Sequence, residues 1–286
     1  TMGLNVITSH LYAGATVLLV SANLMSPHFW KFIKENKGTN FTGVPFSYEV
    51  LNKLRFPRMD LPHLMTMAEG GGKMSDNLFK IFAESAQEKG RRFVATFGTT
   101  ETSARLAYLP PEMACTHIGS IGMAIPEGKM SIVDENGVEI TSSNQEGELK
   151  YQGPNVTMGY AECANDLLKG DEFNGTYFTG DIAKKDDDGF FYIVGRRKRF
   201  LKLYGLRVSL DQCERIINEH FDIQCACIGD DNKMQIFITD ETLGDEVKSL
   251  ISEKTGLVSS SFDTYVIPDI PRFESGKINY RELINK

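Results

Sequence analysis

Between Gly14 and Phe97 the chain repeats one unit, an apolar β-rich run, then a turn, then a helical pattern, and this repetition restricts the fold more than any other feature. The runs are Thr16–Val20, Asn40–Val44, His63–Ala68 and Arg92–Phe97, and the segments between them carry apolar residues at helical spacing. Two of those segments have start signals: Ser26-Pro27 before Phe29, Trp30, Phe32 and Ile33, and Ser75 before Leu78, Phe79, Ile81 and Phe82. Strands alternating with helices predict a parallel sheet, because the crossovers lay helices on its faces. The Trp30 and Phe79 stripes read as core packing.

Glycines fall where the predicted strands end. Glu69-Gly70-Gly71-Gly72 follows the third run and Phe97-Gly98-Thr99-Thr100-Glu101 the fourth. Ligands of open α/β sheets bind outside the carboxyl ends of strands, where bare backbone can approach them. Taken alone, each loop reads first as a tight turn.

From about Ile118 the pattern changes to short strands broken by turn residues. Gly128–Val133, Val138–Ile140 and Gly147–Gln152 predict a hairpin and a further strand, and Ala183–Lys185 with Phe190–Val194 a second hairpin. Asp186, Asp187 and Asp188 sit in its turn without the remaining ligands of a calcium loop, so turn chemistry explains them. Thr179-Gly180-Asp181 places a carboxylate after a glycine turn, where it could accept hydrogen bonds from a vicinal diol or simply close the turn.

Next comes a basic joint, Gly195 to Val208, containing Arg196, Arg197, Lys198, Arg199, Lys202, Gly205 and Arg207. Beyond it, Ser209–Phe221 and Leu243–Thr255 predict helices, and Cys225–Ile228 and Met234–Thr239 paired strands. The chain therefore reads as α/β: a parallel β-α subdomain over 1–117, a small β-barrel-like subdomain over 118–197 and a separate α+β domain over 198–286. At 286 residues it is long enough for more than one core.

Charge and composition exclude some functions. A formal net charge of −7 argues against general nucleic-acid affinity, which needs a positive surface. The most apolar stretch, Ala13 to Ala22, is far short of the ~18 residues of a membrane span, and no basic-then-apolar signal opens the chain. The five cysteines are odd in number and lack Cys-x-x-Cys spacing, so they read as reduced thiols in a cytoplasmic protein.

The order of the motifs is more specific than any one of them. Gly70-Gly71-Gly72, Phe97-Gly98-Thr99-Thr100-Glu101, Gly147-Glu148-Leu149 with Gly159-Tyr160, Tyr177-Phe178-Thr179-Gly180-Asp181, Gly195-Arg196-x-Lys198 with Lys202-x-x-Gly205-x-Arg207, and Pro271-Arg272-x-x-Ser275-Gly276-Lys277 follow one another. This series resembles the adenylate-forming enzymes, which include acyl-CoA synthetases, peptide-synthetase adenylation domains and firefly-type luciferases. The resemblance implies a two-step reaction: a carboxylic acid attacks the α-phosphate of ATP to give an acyl-adenylate and pyrophosphate, and a thiol, most often coenzyme A or a carrier protein, then takes the acyl group.

The resemblance also implies residue roles. Thr100 contacts the α-phosphate, Glu101 helps hold Mg²⁺, Phe97 stacks on adenine where the family commonly has Tyr, Gly98 beside it belongs to the cofactor-binding loop, and the Gly70, Gly71 and Gly72 backbone lies at the adenine edge. Asp181 accepts hydrogen bonds from the ribose hydroxyls of ATP or AMP, reinforced by Arg196. Lys277 matches the mobile catalytic lysine, a cation beside the reacting oxygens. Lys198 falls at the hinge, and Gly205 with Arg207 at the thiol-transfer face. Arg197 and Arg199 suit either coenzyme A phosphates or a solvated hinge surface. Val44-Pro45 and Gly70–Gly72 would wall the acid pocket.

One part of the pattern is missing. The Ser/Thr/Gly-rich phosphate loop that precedes the β-α repeat in the family does not occur, and Met2-Gly3-Leu4 resembles sequence from mid-domain. The expectation is a fragment that cannot complete adenylation alone. The other readings are a carrier-protein-loading ligase and a non-catalytic nucleotide-binding remnant.

Overall fold

The structure is a computed structural model that describes residues 2–273 and 276–284. Glu274 and Ser275, within the Pro271–Lys277 motif, lie outside the described residues. The chain divides into two compact units, Thr1–Thr179 with Ala183–Ile193, and Gly180–Ile182 with Val194–Lys286.

The first unit begins with helices Met2–Tyr12 (α1) and Pro27–Glu35 (α2), followed by strand Asn40–Gly43 (β1) and helix Pro45–Lys53 (α3). Thr66–Glu69 (β2), Asp76–Glu88 (α4) and Arg92–Phe97 (β3) complete the β-α repeat, and the three strands pair in parallel as the alternation predicts. Ala107–Tyr108 (β4) and Met123–Ala124 (β5) then add antiparallel, so the sheet is mixed where a parallel one was predicted. The short return from Phe97 to Ala107 leaves no room for a crossover helix, which parallel pairing of β4 with β3 would require.

Two further expectations are corrected. Thr16–Val20 is not a strand. Its backbone lacks a ladder, since β1, the outermost strand of the described sheet, pairs only with β2. The run predicted from His63 starts its ladder at Thr66, because Leu61 to Leu64 form a turn.

The helices form where their caps and apolar faces allow. Ser75 Oγ accepts from Leu78 N at 3.4 Å, capping α4, a contact worth about 1 kcal/mol. Leu78, Phe79, Phe82, Ala83 and Ala86 form the buried face of this helix. Edge-on ring contacts tie it into the core: Tyr48 to Phe82 at 4.8 Å and Phe79 to Phe93 at 5.1 Å between centroids. The Tyr48 hydroxyl donates to Ala68 O at 2.8 Å, so its buried polar end is satisfied. α1 differs from α4 in burying no residue, with Leu4, Leu11 and Tyr12 exposed.

Lys129–Val133 (β6), Gly147–Gln152 (β7), Thr176–Lys185 (β8) and Phe191–Arg196 (β9) form a four-stranded sheet in that order, and no closed barrel occurs among the described residues. Val138–Ile140, predicted as a strand, contributes a single bridge from Glu139 to Val133. A second core of the first unit, with Leu106, Met130, Leu149, Tyr151 and Ala183, lies beneath these strands.

In the second unit, Phe200–Leu203 (β10) and Leu206–Ser209 (β11) form an antiparallel hairpin ahead of helix Leu210–Phe221 (α5). Cys225–Gly229 (β12), Met234–Ile238 (β13), helix Gly244–Thr255 (α6) and Phe262–Val266 (β14) follow. β13 pairs antiparallel with β12 and parallel with β14. The short helix Tyr280–Leu283 (α7) closes the described chain. Leu203, Cys213, Ile217, Ile236, Val247 and Ile251 are central to this unit's own core.

Candidate active site

In the first unit the candidate residues gather at the carboxyl ends of β2 and β3. Gly70 and Gly98 must be glycine for reasons of space: a Cβ on Gly70 would stand 2.5 Å from Thr96 Oγ1, and one on Gly98 2.0 Å from Ala104 O. Gly71 has φ 83°, a conformation glycine adopts without strain. The same loop lies against Val44 and Pro45, since a Cβ on Gly71 would meet Val44 Cγ1 at 3.4 Å and one on Gly72 would meet Pro45 Cγ at 3.3 Å. The two walls that the sequence suggests for an acid pocket are therefore adjacent.

Phe97 ends β3 and packs against the Leu106–Tyr151 core. Thr100–Thr102 forms a 3-10 turn in which the Thr99 and Thr102 side chains cap one another's backbone. The turn presents Glu101, whose carboxylate accepts from the Tyr160 hydroxyl at 2.6 Å, while Glu101 O accepts from Thr157 N at 2.8 Å. Burial opposes the Glu101 charge, but hydrogen bonds from Tyr160, its own backbone, Thr99 and Tyr177 more than offset it and hold the carboxyl below its ordinary value. That hydrogen bond to Glu101 drives the Tyr160 phenol upward. Asn155 fixes the return of the loop, donating to Thr102 O at 2.7 Å and to Arg105 O at 3.0 Å. Sequence reasoning gave Tyr160 no role, although Gly159-Tyr160 belonged to the motif series.

Asp181, Arg196, Lys198, Gly205, Arg207 and Lys277 all belong to the second unit. Asp181 on β8 is 2% exposed and pairs with Arg196 Nε at 3.1 Å, which places together the two residues expected at the ribose. Lys198 is exposed within a 3-10 turn, Arg197–Arg199, between β9 and β10. Tyr204 and Gly205 form the two-residue tip of the β10–β11 hairpin with φ of 50° and 83°, a turn that matches strand twist. The Arg207 guanidinium covers the Phe200 ring at 4.1 Å.

Lys277 is exposed on a small hairpin closed by Phe273 N to Lys277 O and Asn279 N to Pro271 O, both at 2.8 Å, with Gly276 at φ 82°. Arg272 Nη1 donates to Gly276 O at 2.8 Å, bracing the tip.

Arg199 requires a correction. Its side chain is only 16% exposed and is held by Asp211 and Glu214, so it is neither a solvated hinge charge nor a free phosphate ligand. The signal in the sequence was the carboxylate pair Asp211 and Glu214 on the first turns of the following helix.

Residues 1–161 match the AMP-binding enzyme family. An oxalate–CoA ligase from Arabidopsis thaliana is 26% identical over 96% of this chain and 55% of its own length. A long-chain-fatty-acid–CoA ligase from Escherichia coli O157:H7 is 28% identical over 94% of this chain and 49% of its own. This chain thus spans about half the length of such curated relatives. Among solved structures, the o-succinylbenzoate CoA synthetase from Bacillus subtilis in complex with its acyl-adenylate intermediate superposes with a TM-score of 0.78 at 22% identity, covering 99% of this chain and 58% of that one. An amide bond synthetase from Marinactinospora thermotolerans gives 0.80 at 19% identity, with 99% and 58% covered. With more than half of its residues matched, this chain belongs to the AMP-binding enzyme family.

Proposed function

We propose that the protein activates a carboxylic acid with ATP and passes the acyl group to the thiol of coenzyme A. The observation that carries this reading is the strand-end cradle of the first unit, where glycine backbone at Gly70–Gly72 adjoins Thr96 and a short turn presents the Glu101 carboxylate. In the first step a carboxylate oxygen bonds to the α-phosphorus and the bond to pyrophosphate breaks. In the second, the thiol sulfur bonds to the acyl carbon, AMP leaves and the thiol proton goes to solvent. Relatives named as CoA ligases support both the acid substrate and the acceptor.

The residues present fit a nucleotide with magnesium. Among the described residues no cluster of His, Cys, Asp or Glu could cage a metal alone. Mg²⁺ is ordinarily held by one or two carboxylates together with substrate phosphates, and Glu101 supplies such an oxygen. When bound, the ion neutralises charge on the phosphate oxygens. Thr100 would contact the α-phosphate, Phe97 and Gly98 would face adenine, and Asp181, set by Arg196, would accept from the ribose hydroxyls. Lys277 would place its cation at the reacting oxygens. Gly205 and Arg207 would border the thiol, and Lys198 would take up the backbone rotation between steps.

A panel of carboxylic acids with the full-length protein, following pyrophosphate release and CoA-thioester formation separately, tests this reading. Adenylate formation without CoA thioester, but with transfer to a phosphopantetheinylated carrier protein, would reassign the acceptor. AMP binding without turnover of any acid would overturn catalysis. Lys277→Ala should slow adenylation about 10²–10³-fold while sparing thiol transfer from supplied acyl-adenylate; equal loss in both steps refutes the role of Lys277. The 286-residue chain alone is proposed not to release pyrophosphate, and release with any acid would disprove that.

A further inference from the structure

Behind the Lys277 hairpin lies a buried ionic group that the two-step chemistry does not require. The Asp211 carboxylate, in the first turn of α5, accepts from Arg196 N at 3.0 Å and from Arg199 Nε. Arg199 Nη2 reaches Glu214 Oε1 at 2.6 Å, and its Nη1 donates to Cys227 O at 3.3 Å. Glu214 Oε1 also accepts from Cys227 N at 2.7 Å, and its other oxygen accepts from the Tyr280 hydroxyl at 3.0 Å. The guanidinium of Arg199 lies 3.9 Å from the centre of the Tyr280 ring. One connected set thus joins the joint, α5, β12 and the start of α7.

Tyr280 follows Lys277 by three residues, so their Cα atoms are at most about 10 Å apart. Asn279 N, between them, closes the hairpin on Pro271 O. Ile278 and Tyr280 pack on a small core of Ala226, Ile228, Phe237, Ile270 and Leu283. Apolar side chains could fill such a seam with equal or greater stability, because desolvation offsets most of the Coulombic gain of a buried ion pair. What an ionic group adds is a fixed mutual placement of the elements it joins.

We propose that Arg199, Glu214 and Tyr280 are positioning residues that tie the placement of the Lys277 hairpin to the joint at Arg196–Arg199. The proposal rests on Lys277 being the adenylation cation. The Tyr280 hydroxyl is its critical atom, since it is the group nearest to Lys277 in sequence that grips Glu214.

Tyr280→Phe in the full-length protein keeps the ring against Arg199 and deletes only that hydroxyl. Hydrogen exchange is expected to accelerate about fivefold or more at the Phe273, Gly276 and Asn279 amides, with Ile236 on β13 unchanged. Adenylation kcat is expected to fall about five- to tenfold with KM for ATP and acid unchanged, and thiol transfer from supplied acyl-adenylate to stay at its original rate. In a Lys277→Ala background the same substitution should cost nothing further. Unaltered exchange at the hairpin amides overturns the network, and so does equal slowing of both steps or undiminished slowing without Lys277. Exchange is read without turnover, so absence of adenylation in the unsubstituted protein would refute the proposed function while the network is still judged by the amides.

Discussion

Two glutamates of this chain are buried to nearly the same degree and in opposite company. Glu69, 6% exposed, ends β2 beside the glycine loop, and its Oε2 has no hydrogen-bond partner among the described residues. Glu214, 8% exposed, has Arg199, Tyr280 and the Cys227 amide around it. Burial pushes Glu69 up to about 8. It pushes Glu214 up to about 7, opposed by Arg199 and the hydrogen bonds. The contrast separates two uses of a buried carboxyl. In the second unit it is part of the scaffold, whereas in the first it stands unsatisfied at the strand ends where the nucleotide and acid are proposed to bind.

The largest effect expected from this difference is on the pH dependence of stability. The Glu69 carboxyl has an ordinary value of 4.5 and is raised to about 8 in the fold, so between those values the folded state holds a proton that the unfolded state has lost. Stability therefore falls as pH rises through that window and levels off above it. The full contribution is about 4–5 kcal/mol. Glu69→Gln removes the titration, so its melting temperature should vary less between pH 5 and pH 8 than that of the unsubstituted protein. Parallel melting curves for the two would show that the Glu69 carboxyl gains a partner in solution and would erase the contrast.

Burial raises Glu214 as it raises Glu69, so both titrations lower stability as pH rises; Glu214→Gln differs in also taking a charged partner from Arg199. The substitution leaves the Arg199 guanidinium with Asp211 as its remaining carboxylate, and removing one partner of a buried, hydrogen-bonded ion pair costs about 3–5 kcal/mol. Denaturant unfolding at pH 8, read by exchange of the β12 and β13 amides, measures that loss. A Glu214→Gln protein as stable as its parent would reduce the network to a surface pair.

The same contrast explains what could be read from the sequence. The β-α repeat was legible because cap residues and 3.6-residue periodicity are local: Ser75 and the Leu78–Ala86 stripe specify α4 without reference to the rest of the chain. Thr16–Val20 was not, because a strand exists only through its neighbours, and periodicity carries no information about which strand lies alongside. Among site residues, Gly70, Gly98 and Glu101 stood out as punctuation at strand ends. Tyr160, 59 residues from Glu101, and Tyr280, 66 from Glu214, were invisible as partners because their contacts cross the chain. Arg199 was misread for the same reason: one charge in a basic run looks solvated until its acidic partners are placed.

The smallest structural effect belongs to Gly205, and it sharpens the comparison because space and conformation separate there. At Gly98 an added Cβ would collide with backbone, whereas at Gly205 it would meet nothing within 4 Å. The cost of Gly205→Ala is therefore conformational alone, a left-handed φ of 83° imposed on an alanine, about 1 kcal/mol. The β10–β11 ladder on both sides of the tip holds the turn in place, so the hairpin should persist with a slightly lower melting temperature. If the thiol arm passes close to this bare backbone in the second step, transfer from supplied acyl-adenylate should fall by more than tenfold while adenylation is unaffected. A loss no larger in transfer than in adenylation would make Gly205 a turn residue only, and the thiol face would then have to be sought away from the hairpin tip.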